Sequence, residues 1–142
     1  MNEAVNIKYL PHAVPGSIIF TGCCWGALTV EQPAYRWTPL RPVQPKKPGE
    51  VIALTYLEKG ALAFVGCTGS HYSPVKPPLD NFGKPMHDHF WRAIGQGKGP
   101  AEALWVAKQQ YISEIPHGQN RAFSRAAELK ILRQYTCLGL GW

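Results

Sequence analysis

Two short segments of the chain lack the polar–apolar alternation of a half-exposed strand: Ser17–Cys23 and Ala61–Cys67. Continuous apolar runs of this kind predict strands covered on both faces. Between them, residues 50–59 read as a helix that meets Gly60, the expected C-terminal stop. Strand, helix and strand together predict a pair of parallel neighbours joined by a right-handed crossover. Both strands then finish on one edge of the sheet, which brings Cys24 close to the loop Thr68-Gly69-Ser70-His71-Tyr72.

Around this unit the pattern changes. Residues 33–49 hold Pro33, Pro39, Pro42, Pro45 and Pro48, which predicts a surface loop stiffened by proline. Residues 73–85 form a second Pro/Gly-rich loop, followed by a helix over about 86–95. Gly99-Pro100 opens a longer helix with proline in its first turn. Its apolar positions Ala103, Leu104, Ala107, Tyr111 and Ile115 recur at helical spacing, and Pro116 ends it. A third helix runs from Asn120, a good N-cap, to near Leu132. Gln134–Gly139 reads as a final strand. The Cys24 strand reads as central, yet only Val5–Leu10 offers a strand before it. An apolar open edge invites another chain, so the pattern predicts a truncated chain or a sheet completed by a partner.

The 142 residues make one domain, and 45% of them are hydrophobic, enough for a core. The formal net charge of +6 raises nucleic-acid binding. Against it, the basic residues are scattered and Lys46-Lys47 is the only adjacent pair, so a solvated basic surface is expected. Trp25, Trp37, Trp91, Trp105 and Trp142 are not interleaved with a basic run, and core or loop packing is expected for them. Cys23, Cys24, Cys67 and Cys137 show no zinc spacing, and reduced thiols in a cytoplasmic setting are expected. A vicinal Cys23–Cys24 disulfide would be strained. Met1–Val14 has no secretory apolar core and no run is long enough for a bilayer, so no membrane partner is expected. His87, Asp88 and His89 contain metal-ligand types, but an i, i+2 histidine pair on a helix points to different faces. No metal or other cofactor is expected, and Asp88 is assigned to the helix N-terminus.

The segment Cys24-Trp25-Gly26-Ala27, following an apolar strand, resembles the nucleophile segment of caspase-like cysteine peptidases, the gingipain type in particular. That pattern is an apolar strand, a small residue, Cys, a variable residue and Gly. Residues 57–68 are similar to the family's helix end, Gly-Ala turn and following strand. Phe90-Trp91, Gly97, residues 101–104 and 107–111 look like its later helices, and Ile131–Gly139 is similar to its last strand. The four blocks span nearly the whole chain and correspond to the C-terminal half of that fold. The resemblance implies an α/β fold, a three-layer α/β/α sandwich with a mostly parallel sheet. The family's catalytic histidine lies upstream, in a His-Gly turn after an earlier strand. Here His12 is followed by Ala13, and the one His-Gly pair, His117-Gly118, follows a helix. The Gly-Asp-Pro common at the end of the gingipain type reads Gly139-Leu140-Gly141.

The resemblance implies peptide-bond hydrolysis, with the Cys24 thiolate forming a thioester and a histidine moving the proton. Cys24 holds the Cys-x-Gly position, and the competing reading is a buried, inert thiol. Cys23 takes the small-residue place and is expected to pack. The base would come from an upstream segment or a partner chain. If the chain acts alone, His71 is the base best placed by topology, and otherwise it lines a pocket or faces solvent. Gly26 would let a substrate approach the backbone closely. Thr68, Ser70, His71 and Tyr72 are candidate walls of a substrate pocket. No acid lies in that loop, and Asp80 is the nearest. The expected partner is therefore a protein or peptide substrate. Two rival functions stand beside the peptidase: a non-catalytic protein-interaction module on the same fold, and an autonomous small hydrolase using Cys24 and His71.

Overall fold

A computed structural model describes residues 10, 15–29, 34–35, 42–43, 46–72, 82–115 and 122–140. His12, Asp80, Pro116, His117-Gly118, Asn120 and most of the two proline-rich loops lie outside the described residues. The strand–helix–strand unit forms as the pattern predicts. Strand β1 (Ile18–Phe20) precedes two short strands, β2 (Ala34–Tyr35) and β3 (Pro42–Val43), which pair antiparallel in the first proline-rich segment. A 3-10 turn at Pro48–Glu50 leads into helix α1 (Ile52–Glu58), and the chain turns at Gly60 with φ +103°. Strand β4 (Ala63–Cys67) then pairs parallel with β1, Ile18 opposite Ala63 and Phe20 opposite Val65.

Three helices and a strand complete the fold: α2 (Gly83–Gly95), α3 (Pro100–Glu114), α4 (Ala122–Gln134) and β5 (Tyr135–Gly139). Helix α2 starts three residues before the expected 86 because Pro85 falls in its first turn, where its missing N–H costs nothing. The sheet corrects two expectations. Its order is β1-β4-β5, so β4 and not the Cys24 strand is in the middle of the described sheet. Every residue of β4 is buried, whereas β1 is only half-buried. The sheet is also mixed rather than mostly parallel, since β5 runs antiparallel to β4, Cys67 opposite Tyr135. Helix α4 delivers the chain to the carboxyl end of β4, where Thr68 N–H donates to Gln134 O at 2.9 Å. A strand starting at that end has to run back along β4.

Apolar residues leave the sheet on both sides. Val65, Cys67 and Tyr135 join Met86, Phe90 and Ile131 in the core beneath α2, α3 and α4. Phe64 joins Ala27, Val51 and Ala53 beside α1. All five helical positions read from the sequence, Ala103, Leu104, Ala107, Tyr111 and Ile115, are buried. Trp105 departs from its expected packing: it is 61% exposed on the outer side of α3. No helix among the described residues is long and apolar enough to cross a membrane.

Candidate active site

Just past the carboxyl end of β1 the chain makes a tight turn through residues 23–27. Trp25 takes φ +62°, a conformation that strains a bulky residue. Local bonds hold it there: Trp25 N–H donates to Gly69 O at 2.9 Å and Ala27 N–H to Cys67 O at 3.0 Å. The turn is thus tied to the end of β4, the juxtaposition that parallel pairing predicts. Strained backbone held by its surroundings is common where chemistry is done.

Cys24 is exposed at this turn, which excludes the competing reading of a buried thiol. Its sulfur accepts the main-chain N–H of His71 at 3.2 Å and lies 3.8 Å from His71 O. Cys23 is also an exposed free thiol, with Sγ 2.8 Å from Thr21 Oγ1. Gly26 is buried, and a Cβ there would lie 2.8 Å from Cys23 Sγ and 3.0 Å from the Thr21 methyl. The glycine makes room for neighbours inside the turn.

His71 reaches Cys24 as topology predicts, but through its backbone. Its imidazole turns inward, where Nδ1 lies 3.4 Å from Cys67 Sγ and 3.5 Å from Tyr135 Oη. Burial lowers the His71 pKa below the ordinary imidazole value. Burial likewise pushes the Cys67 thiol up to about 12, and it raises that of the Tyr135 phenol. Cys67 and Tyr135 carry no sequence signal of this kind, since one simply ends an apolar strand and the other opens the last strand. Only the β4–β5 register puts them side by side.

The remaining pocket residues form the rim of this loop. Thr68 donates its hydroxyl to Gln134 O at 3.2 Å, and Gln134 Nε2 donates to Ser70 O at 2.7 Å. The Lys130 ammonium sits 5.0 Å from the centroid of the Tyr72 ring. A groove beside the loop is lined by Thr68, Ala126, Leu129, Lys130, Arg133 and Gln134. It carries two cations. The neighbouring acid, Glu128, is engaged elsewhere, taking the Tyr111 hydroxyl and the Phe82 N–H.

Compared with known proteins, the chain matches no family model, no curated protein and no solved structure. Its own geometry therefore carries the functional argument. The histidines of α2 are spoken for by separate partners. His87 Nε2 accepts from Trp91 Nε1 at 2.9 Å, whereas His89 Nε2 lies 3.0 Å from both carboxylate oxygens of Glu114. Asp88 does not serve the helix N-terminus as expected: α2 starts five residues earlier, at Gly83, and Asp88 pairs with Lys84 one turn back. Among the described residues no group of three His, Cys, Asp or Glu side chains is arranged to hold a metal.

Proposed function

We propose that this chain carries the nucleophile of a cysteine peptidase, on a caspase-like α/β/α frame of which it forms the C-terminal portion. One observation carries the reading: an exposed Cys24 sulfur, at the carboxyl end of a parallel strand, accepts a main-chain N–H. In open α/β sheets that edge is where ligands bind. The apolar packing on both sides of the sheet supports the layered frame.

In this mechanism the sulfur attacks the scissile carbonyl carbon and the amine leaves with a proton supplied by a histidine. A thioester remains on Cys24, and water cleaves it. The N–H groups of Trp25, Gly26 and Ala27 already donate to carbonyls. The N–H of Cys24 itself is therefore our assigned donor to the developing oxyanion. The base comes from an upstream segment or a partner chain, because the described contact of His71 with the sulfur is made by its main chain and not its ring. The autonomous Cys24–His71 hydrolase ranks lower for the same reason. That inward ring also favours the second reading, a non-catalytic protein-interaction module.

The groove beside Thr68 receives a substrate side chain, and Lys130 and Arg133 favour an acidic one. The test is covalent labelling by a peptidyl electrophile, read by mass spectrometry. Labelling at Cys24 that is faster than at Cys23, and absent in Cys24→Ala, supports the peptidase. Equal labelling of both thiols, with or without a histidine-bearing partner segment, rejects it and leaves the binding module.

A further inference from the structure

We infer that His71 is a positioning residue whose main-chain N–H poises the Cys24 sulfur while its side chain is anchored in the interior by Cys67 and Tyr135. The inference deepens the assignment of Cys24 as nucleophile and rests on that assignment. Two sets of contacts on opposite sides of one residue carry it. Outward, the His71 N–H donates to Cys24 Sγ at 3.2 Å. Inward, Nδ1 meets Cys67 Sγ at 3.4 Å and Tyr135 Oη at 3.5 Å, and the two rings meet edge-on with centroids 5.8 Å apart.

The ring fits because its neighbours are bare of side chains. A Cβ on Gly22 would come within 3.2 Å of Nε2, and a Cβ on Gly83 would overlap the ring. The imidazole is thus wedged between the cysteine turn and the start of α2. Burial raises the Cys67 thiol and the Tyr135 phenol further above neutral pH. Each therefore keeps a proton, and Nδ1 of the neutral ring lies within reach of both. Gln134 fixes the preceding residue by donating to Ser70 O. The amide facing Cys24 is therefore held from the interior on one side and along the chain on the other. An N–H aimed at sulfur, with the His71 carbonyl 3.8 Å away on the same residue, holds the side chain in one orientation.

The experiment is the rate of Cys24 alkylation by iodoacetamide in the folded full chain, resolved from Cys23 by peptide mass spectrometry. His71→Ala keeps the amide but removes the ring that anchors it, and is expected to slow Cys24 by up to about tenfold as the N–H loses its aim at the sulfur. Tyr135→Phe and Cys67→Ala change no hydrogen-bond partner of the Cys24 sulfur, yet both are expected to slow it by several-fold. His71→Asn, whose side-chain amide can meet the same partners, recovers most of the rate. In the wild type the His71 amide proton exchanges slowly, and Cys24→Ala and Tyr135→Phe speed its exchange. Wild-type rates in both Tyr135→Phe and Cys67→Ala overturn the anchor. So does recovery of His71→Ala by free imidazole, which makes the ring a base. Should His71→Ala fail to fold, Tyr135→Phe and Cys67→Ala decide alone. Iodoacetamide needs no peptide groove, so failure of peptidyl labelling with this series intact rejects the peptidase and spares the anchor.

Discussion

Cys24 and Cys67 sit at the ends of neighbouring strands and have opposite surroundings. Cys24 is exposed; Cys67 is fully buried, and burial lifts its thiol to about 12. At pH 9 iodoacetamide is expected to modify Cys24 in the folded protein and to spare Cys67 until urea unfolds it, as counted by intact mass. The same burial makes stability depend on pH. A thiol raised from 9.0 to about 12 binds its proton longer in the folded state, so stability falls as pH rises through that interval. His71 has the opposite sign. Its lowered pKa means that the unfolded chain takes up the proton first as pH falls below 6.5. The stability contributed by neutral His71 is complete above that value and is lost on acidification. Urea midpoints at pH 7 and pH 5 should drop more for wild type than for His71→Asn. Cys24 and its loop were legible in the sequence, because an apolar run ending in a thiol is a local signal. The inward turn of His71 was not, since its cause lies in Cys67, Tyr135, Gly22 and Gly83, which are scattered along the chain.

Among the elements, α2, α3 and α4 meet at one buried carboxyl group. Glu128 on α4 accepts the Tyr111 hydroxyl from α3 and the Phe82 N–H at the entry to α2. Burial raises its pKa. Glu128→Ala strands both donors and is expected to cost about 1–3 kcal/mol of stability, measured by urea denaturation. Phe90, fully buried on α2, packs on Phe20 with ring centroids 5.0 Å apart. Phe90→Ala should cost about 3–5 kcal/mol by the same measurement. The apolar face of α3 was legible residue by residue, because helical spacing alone selects it. The start of α2 was not, because Pro85 reads as a loop signal wherever the first helical turn is not already known. Glu128 gave no warning either, as a helical glutamate is ordinarily a solvated one.

Across the whole molecule, the parallel β1–β4 pair brings the Cys24 turn to the loop 68–72, and α4 lays a basic groove beside that loop. On the peptidase reading, electrophiles with an acidic side chain next to the reactive group label Cys24 several-fold faster than basic ones. Arg133→Glu reverses that order, and a rate series over matched peptides measures it. If the order is unchanged in Arg133→Glu, the groove does not select the substrate.

The strand–helix–strand unit, the buried stripe of α3 and the placing of Cys24 beyond a strand end could all be read from the chain alone. Each follows from short-range pattern: period, glycine and proline stops, and the geometry of a parallel crossover. Tertiary structure alone decided that β4 lies between β1 and β5, that β5 runs back along it, and that His71 meets Cys24 with its amide rather than its ring. Those outcomes depend on which segments far apart in the chain compete for the same neighbours, and local pattern carries no record of that competition.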